Sequence, residues 1–213
     1  DSDRDAAPRS YSATTSMQLG SALSSAGKYE EAIQVYSAAI TKRPAMRGYL
    51  GRGRTYLGVR QYANAEKDFL AALAMPEERQ EVYALYQLYE ALGVAYSEQR
   101  KYDPAIKNFI DARKQLPIYS SALTEKLAIV LYQAGRKDEA LRELEAARPQ
   151  ARREMLPESK NVFLRLGMLY KEQGRKSEAR DALNEFLRQT ASINEKTTLD
   201  ARRQAAQLLE SVK

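Results

Sequence analysis

The run Gly51–Leu73, GRGRTYLGVRQYANAEKDFLAAL, decides how the chain folds. Within it a small residue, Gly53, is followed three positions on by Tyr56. Ala65 comes nine after that, Phe69 four later and Ala72 three later. Spacings of three and four place apolar side chains on one helical stripe. The small residues belong where two antiparallel helices approach closely, because a larger side chain would hold the backbones apart. Pro76 then predicts the end of the second helix, since it supplies no N–H and crowds the preceding turn.

The same pattern recurs on both sides of this run. Upstream it reads Gly20, Leu23, Ala32, Tyr36 and Ala39, closed by Pro44. Downstream it reads Gly93, Tyr96, Ala105, Phe109 and Ala112, closed by Pro117. A fourth copy has Ala128, Leu131, Ala140, Leu144 and Ala147. A fifth has Gly167, Tyr170, Ala179, Leu183 and, in place of the last small residue, Phe186. Gly27, Gly135 and Gly174 fall between the helices of their pairs, where a left-handed C-cap is expected. Pro104 falls near the start of a second helix, where a missing N–H matters little.

Five copies in phase resemble the tetratricopeptide repeat, a helix–turn–helix unit of about 34 residues. The resemblance covers residues 13 to 191. The family's Trp near the start of each repeat is absent, and Ser16, Tyr49, Tyr89, Thr124 and Phe163 stand there. The fold class expected is all-α: a helical solenoid of antiparallel helix pairs, about eleven helices, which the resemblance implies coil into a right-handed superhelix. Residues 1–11 are expected to be a flexible tail, residues 12–194 the five hairpins, and residues 195–213 a capping helix. In that last stretch Ala201, Ala205, Leu208, Leu209 and Val212 form an apolar stripe suited to covering the fifth hairpin.

The key alanines stand at 32, 65, 105, 140 and 179, so the third and fifth copies carry about five or six extra residues before theirs. For the third copy a lengthened first helix is expected, from about Glu77 to Gln99. For the fifth, Arg148–Glu158 contains Pro149 and Pro157 and reads as a longer connection with a short helical turn.

Composition removes several function classes. Hydrophobic residues make up 44% and charged residues 29%, too apolar for a disordered chain and too polar for a membrane protein. No apolar run approaches the roughly 18–20 residues of a spanning helix. The chain has no Cys and no His. Cys/His zinc sites, thiol nucleophiles, Ser-His-Asp triads and disulfides are therefore excluded. The chain begins at Asp1 and reads as a soluble fragment of a processed or truncated precursor.

Local motifs read as structural. Gly51-Arg52-Gly53 lacks the remaining residues of a phosphate loop and lies inside an expected helix. Glu30/Glu31 and Glu77/Glu78 suit helix starts or turns and not a catalytic pair. Tyr83, Tyr86, Tyr89 and Tyr96 share one helix and read mainly as packing between helices. No catalytic residue, cofactor site or metal site is expected.

Charge is less neutral: the net is +6, and between Lys42 and Arg60 stand Lys42, Arg43, Arg47, Arg52, Arg54 and Arg60 with no acid. This segment reads either as a solvated outer face or as a site for an acidic peptide, a carboxyl terminus, an anionic lipid or nucleic acid. In the tetratricopeptide family the concave groove is lined by the second, fifth, ninth and twelfth positions of each first helix. Carried across, these imply Met17 and Ser21, then Arg47, Leu50, Arg54 and Leu57, then Gln87, Glu90, Val94 and Ser97. The fourth copy gives Glu125, Ile129 and Tyr132, and the fifth Asn161, Leu164, Met168 and Lys171. Arg52 and Arg60 fall on other faces.

The family also implies a test for the two-carboxylate clamp that grips chaperone tails. Its first-repeat places hold Met17 and Ser21, its second Gly51, and its third Gln87 and Ala91, so a clamp of that type is not expected. The reading is a protein-interaction scaffold or assembly factor that takes a peptide or helix in its groove. Alternatives are a basic RNA- or anion-binding helical repeat and a permanent structural subunit of a larger complex.

Overall fold

A computed structural model describes residues 13–75, 82–115 and 120–212. Among these residues there are eleven α-helices, one short 3-10 helix and no strand. The α-helices are α1 (Ala13–Ser25), α2 (Tyr29–Lys42), α3 (Met46–Gly58), α4 (Tyr62–Leu73), α5 (Val82–Glu98) and α6 (Tyr102–Gln115). They continue with α7 (Ser121–Gln133), α8 (Lys137–Arg153), α9 (Asn161–Glu172), α10 (Lys176–Gln189) and α11 (Lys196–Glu210). The all-α repeat fold expected from the pattern is the one found. Pro76, Pro117, the Glu77/Glu78 pair, the first residues of the lengthened third-copy helix and the N-terminal tail lie outside the described residues. The described part of that helix, α5, still has 17 residues, against 13 in α3 and α7.

The chain divides into two compact units, residues 1–101 and 102–213. In the first, α1 pairs with α2 and α3 with α4, and α2 packs on α3 and α4 on α5. Tyr36 and Phe69 are the large buried side chains of the two pairs, set beside the fully buried Ala32 and Ala65. Gly53 shows why the pattern needs a small residue: a Cβ there would stand 2.4 Å from the Phe69 ring. Arg52 is also committed to this unit. Its Nε and Nη2 each donate to Asp68 at 2.7 Å, and its Nη1 donates to Ser37 Oγ at 2.8 Å. The hydrogen bond to Asp68 holds the guanidinium's pKa above its usual value.

In the second unit α7 pairs with α8 and α9 with α10, and α11 lies against α10 and α9. Gly167 plays the part of Gly53, since a Cβ would come within 2.5 Å of Leu183 Cγ. The connection before α9 differs from expectation. α8 runs on through Pro149 to Arg153, so the link is only Glu154–Leu156 before the 3-10 turn Pro157–Lys160. Two features sustain the extra turn. Ala151 is fully buried, and the buried Lys160 ammonium donates to the Ala151 carbonyl at 2.6 Å and to the Glu154 carbonyl. Orphan carbonyls at the end of α8 thereby find a donor, and burial pushes the Lys160 pKa down.

The apolar stripe of α11 is covered less than expected. Ala205 and Val212 are buried, but Ala201, Leu208 and Leu209 are only half-buried.

One turn geometry repeats after α1, α3, α5, α7 and α9. The residue in the left-handed region is Gly27 (φ 77°), Arg60 (60°), Arg100 (58°), Gly135 (79°) and Gly174 (73°). The next N–H reaches back five residues each time, from Lys28 to Leu23, Gln61 to Tyr56, Lys101 to Tyr96, Arg136 to Leu131 and Arg175 to Tyr170. This is the Schellman closure. Two of its five sites carry arginine where the others carry glycine.

Candidate functional site

First helices of successive copies lie side by side within each unit: α1 with α3 and α3 with α5 in residues 1–101, and α7 with α9 in residues 102–213. All the residues singled out for the groove lie on these helices. They do not all face open space.

In residues 102–213, Ile129, Tyr132 and Met168 converge on a cavity of about 550 Å³. Ile129 and Tyr132 are three apart on α7 and so share a face. Met168 approaches from α9. The walls are completed by Leu144 of α8, Leu169 of α9 and Leu208 of α11. Leu144 and Ala128 belong to the repeat pattern itself, so part of the floor is the hairpin core seen from one side. Leu208 is one of the half-buried residues of the α11 stripe, and it faces this cavity.

The polar groups at this cavity are mostly neutralised. Arg165 Nε donates to Glu125 Oε1 at 2.8 Å, joining α9 to α7. Glu125, expected as an acidic groove residue, is buried and spent in that pair. Lys137 Nζ lies 5.2 Å from the Tyr132 ring centroid and donates to Glu172. That bond raises the Lys137 pKa and lowers that of Glu172. Lys171, also on the lining, makes no ion pair or side-chain hydrogen bond among the described residues. An apolar hollow of this size with one uncommitted cation is within the range of ligand sites.

In residues 1–101, Leu57 and Val94 share a smaller hollow of about 330 Å³ with Arg60, Tyr62 and Glu98. Tyr62 Oη donates to Glu98 at 3.0 Å across it. Arg47 and Arg54 are exposed, and Met17 and Glu90 are half-buried. Leu50 sits in the core with Met46, Phe69 and Leu88, and Leu164 is likewise buried in the other unit. Of the tyrosines on α5, Tyr83 is 63% exposed and stacks on Tyr86 with centroids 6.1 Å apart, while Tyr96 packs against the core. Burial pushes the Tyr86 phenol up to about 12.

Sequence reasoning missed Leu144, Leu169 and Leu208 as lining residues. Leu144 was legible as pattern and Leu208 as cap, and both were therefore assigned to packing. It also missed Arg165 as the partner of Glu125, which no spacing within one helix reveals.

The tetratricopeptide repeat profile matches the sequence twice, over residues 17–80 and 119–190, together well over half of the chain. The chain belongs to the tetratricopeptide repeat family. No curated protein sequence matches it significantly. Among solved structures it is similar to a thermophilic TPR protein of Thermus thermophilus, at 23% identity and a TM-score of 0.65, over 93% of this chain and 99% of that one. It is similar to PilF of Pseudomonas aeruginosa, at 18% identity and a TM-score of 0.70, over 94% of this chain and 88% of that one. YrrB, described as a TPR protein with an unusual peptide-binding site, is 21% identical with a TM-score of 0.60, over 90% of this chain and 92% of that one. These likenesses are of fold. Tetratricopeptide repeats in general mediate protein–protein interactions, and proteins built from them are generally scaffolds and not enzymes. Among the described residues no helix is long and apolar enough to cross a membrane.

Proposed function

We propose that the chain is an interaction scaffold that takes a peptide segment or helix along its first-helix face, anchored at the cavity between α7, α9 and α11. The observation that carries this is the hollow of about 550 Å³ walled by Ile129, Tyr132, Leu144, Met168 and Leu208, with Lys171 at its edge. Its chemistry selects a partner with apolar side chains that enter together and a carboxylate placed to meet Lys171. Buried apolar anchors supply most of such an interface's energy, and the polar rim fixes orientation. The described peptide-binding site of the similar protein YrrB supports the reading by analogy of fold.

The basic segment gives less support to an RNA-binding reading, because Arg52 is committed to Asp68 within the fold. The test is affinity capture from the native source with the wild type and with Met168→Glu and Lys171→Glu, followed by mass spectrometry. A protein partner should be retained by the wild type and lost by both variants, whose melting should match the parent. In parallel, labelled RNA is titrated at two salt concentrations. Tight RNA binding that falls steeply with salt, with capture unaffected by either substitution, overturns the reading.

A further inference from the structure

The link between α8 and α9 carries a feature that the groove reading leaves unused. Met155 is 91% exposed and the adjacent Leu156 63% exposed. They are consecutive, bulky and apolar, and they project from the short link Glu154–Leu156. The link is held firmly. Lys160 fixes its start through the Ala151 and Glu154 carbonyls. The Glu154 carboxylate accepts from the Ser121 backbone N–H at 3.3 Å and from Gln150 Nε2 at 3.2 Å. The Ser159 N–H closes the far side on the Leu156 carbonyl at 3.2 Å. A buried lysine with a lowered pKa is thus used to fix a loop that shows two apolar side chains to water.

The flanks are basic. Arg148 and Arg153 make no ion pair among the described residues. Arg152 and Arg188 share one carboxylate, Glu185, at 3.2 and 2.5 Å, which leaves that triad one positive charge in excess. Against these stand Glu158, exposed, and Glu154, turned inward to α7.

We propose that this Met155–Leu156 knob is a docking point for an anionic lipid surface. The choice between lipid and protein follows from size. A specific protein interface needs roughly 800 Å² per partner with an apolar core. The knob is two side chains on an otherwise polar surface, too little for that. A bilayer interface accepts a few projecting apolar side chains, and adjacent arginines add attraction to anionic headgroups. Preset loop geometry means that little freedom is lost on docking. The contact is weak and reversible, and it is independent of the groove.

The chain has no tryptophan, so Leu156→Trp places a single reporter on the knob. The probe is vesicles of phosphatidylcholine, with and without one-third phosphatidylglycerol. The indole emission should shift to shorter wavelength with the anionic vesicles, and raising salt should reverse the shift. Met155→Ser/Leu156→Ser should sediment with anionic vesicles at least ten-fold less than the wild type, at unchanged melting temperature. Arg153→Glu should weaken sedimentation several-fold, and Met168→Glu in the groove should leave it unchanged. Indole emission unmoved by either vesicle overturns the proposal, as does equal sedimentation of the serine variant and the wild type. So does a protein retained through Met155 and Leu156 while vesicles stay unbound.

Discussion

Replacing Arg60 and Arg100 with glycine should stabilise the protein. Both arginines hold φ near +60° at turns where Gly27, Gly135 and Gly174 serve elsewhere. The left-handed region costs an L-residue about 1–2 kcal/mol through the contact of Cβ with the carbonyl. Glycine removes that strain but adds about 0.5–1 kcal/mol of unfolded-chain freedom. The net gain is about 0.5–1 kcal/mol at each site. Neither arginine's side chain makes a hydrogen bond or ion pair among the described residues, and their backbone N–H bonds to Leu57 and Ser97 remain with glycine, so no contact is lost to offset it. For a chain of this length the gain corresponds to about 1–4 °C in melting temperature. The reverse substitution isolates the backbone term. Gly135 has nothing within 4 Å of a built Cβ, so Gly135→Arg meets no clash and should lose a similar amount through φ alone. Urea unfolding followed at 222 nm reads all three variants. Repeat arrays need not unfold in one step, so midpoints are compared at equal slope. Loss of stability in Arg60→Gly and Arg100→Gly, or no loss in Gly135→Arg, would show that the turn is not strained and that the arginines stabilise it in some other way.

Arg52→Ala should be far more harmful than loss of a surface arginine. It strands Asp68, whose side chain is 6% exposed, and should cost about 3–5 kcal/mol in the same urea assay; a loss under 1 kcal/mol would mean that Asp68 reaches water. Deleting residues 195–213 removes the buried Ala205 and Val212 and the half-buried Leu208 and Leu209. The loss should be about 3–6 kcal/mol as an upper bound, with aggregation visible by light scattering; a monomer with unchanged melting would refute the capping role. Alkaline pH should act through Tyr86. Its folded pKa, raised to about 12, makes a contribution that is fully present below pH 10 and lost as pH rises through 12. Tyr36, Tyr62, Tyr96 and Tyr170 are also raised, so absorbance at 295 nm should show a spread of late-titrating phenols whose last step is lost in Tyr86→Phe; a last step unchanged in that variant would place it on another tyrosine.

How much of this was legible depends on whether the decisive contact lies within one period. The hairpin pattern was legible because its cause is local: Gly53 and Gly167 must be small since Phe69 and Leu183 lie on the next helix of the same pair. The glycine turns were legible for the same reason, yet in the sequence Arg60 reads only as charge and Arg100 is not singled out at all. Their place was in the sequence all along, seven residues after Gly53 and Gly93, as Gly27 follows Gly20. Composition hid them because arginine is not a residue that announces a left-handed turn. The site was legible only in part. Position matching named residues on the first helices of the copies, but whether a side chain faces a hollow or the core depends on how neighbouring copies stack. Leu50 and Leu164 turned inward, while Ile129 and Met168 met across a cavity. Glu125 illustrates the limit best. Alone it reads as a groove acid, but with Arg165 forty residues away it is a buried brace between α7 and α9, and Lys171 is the cation left on that lining without an ion pair among the described residues.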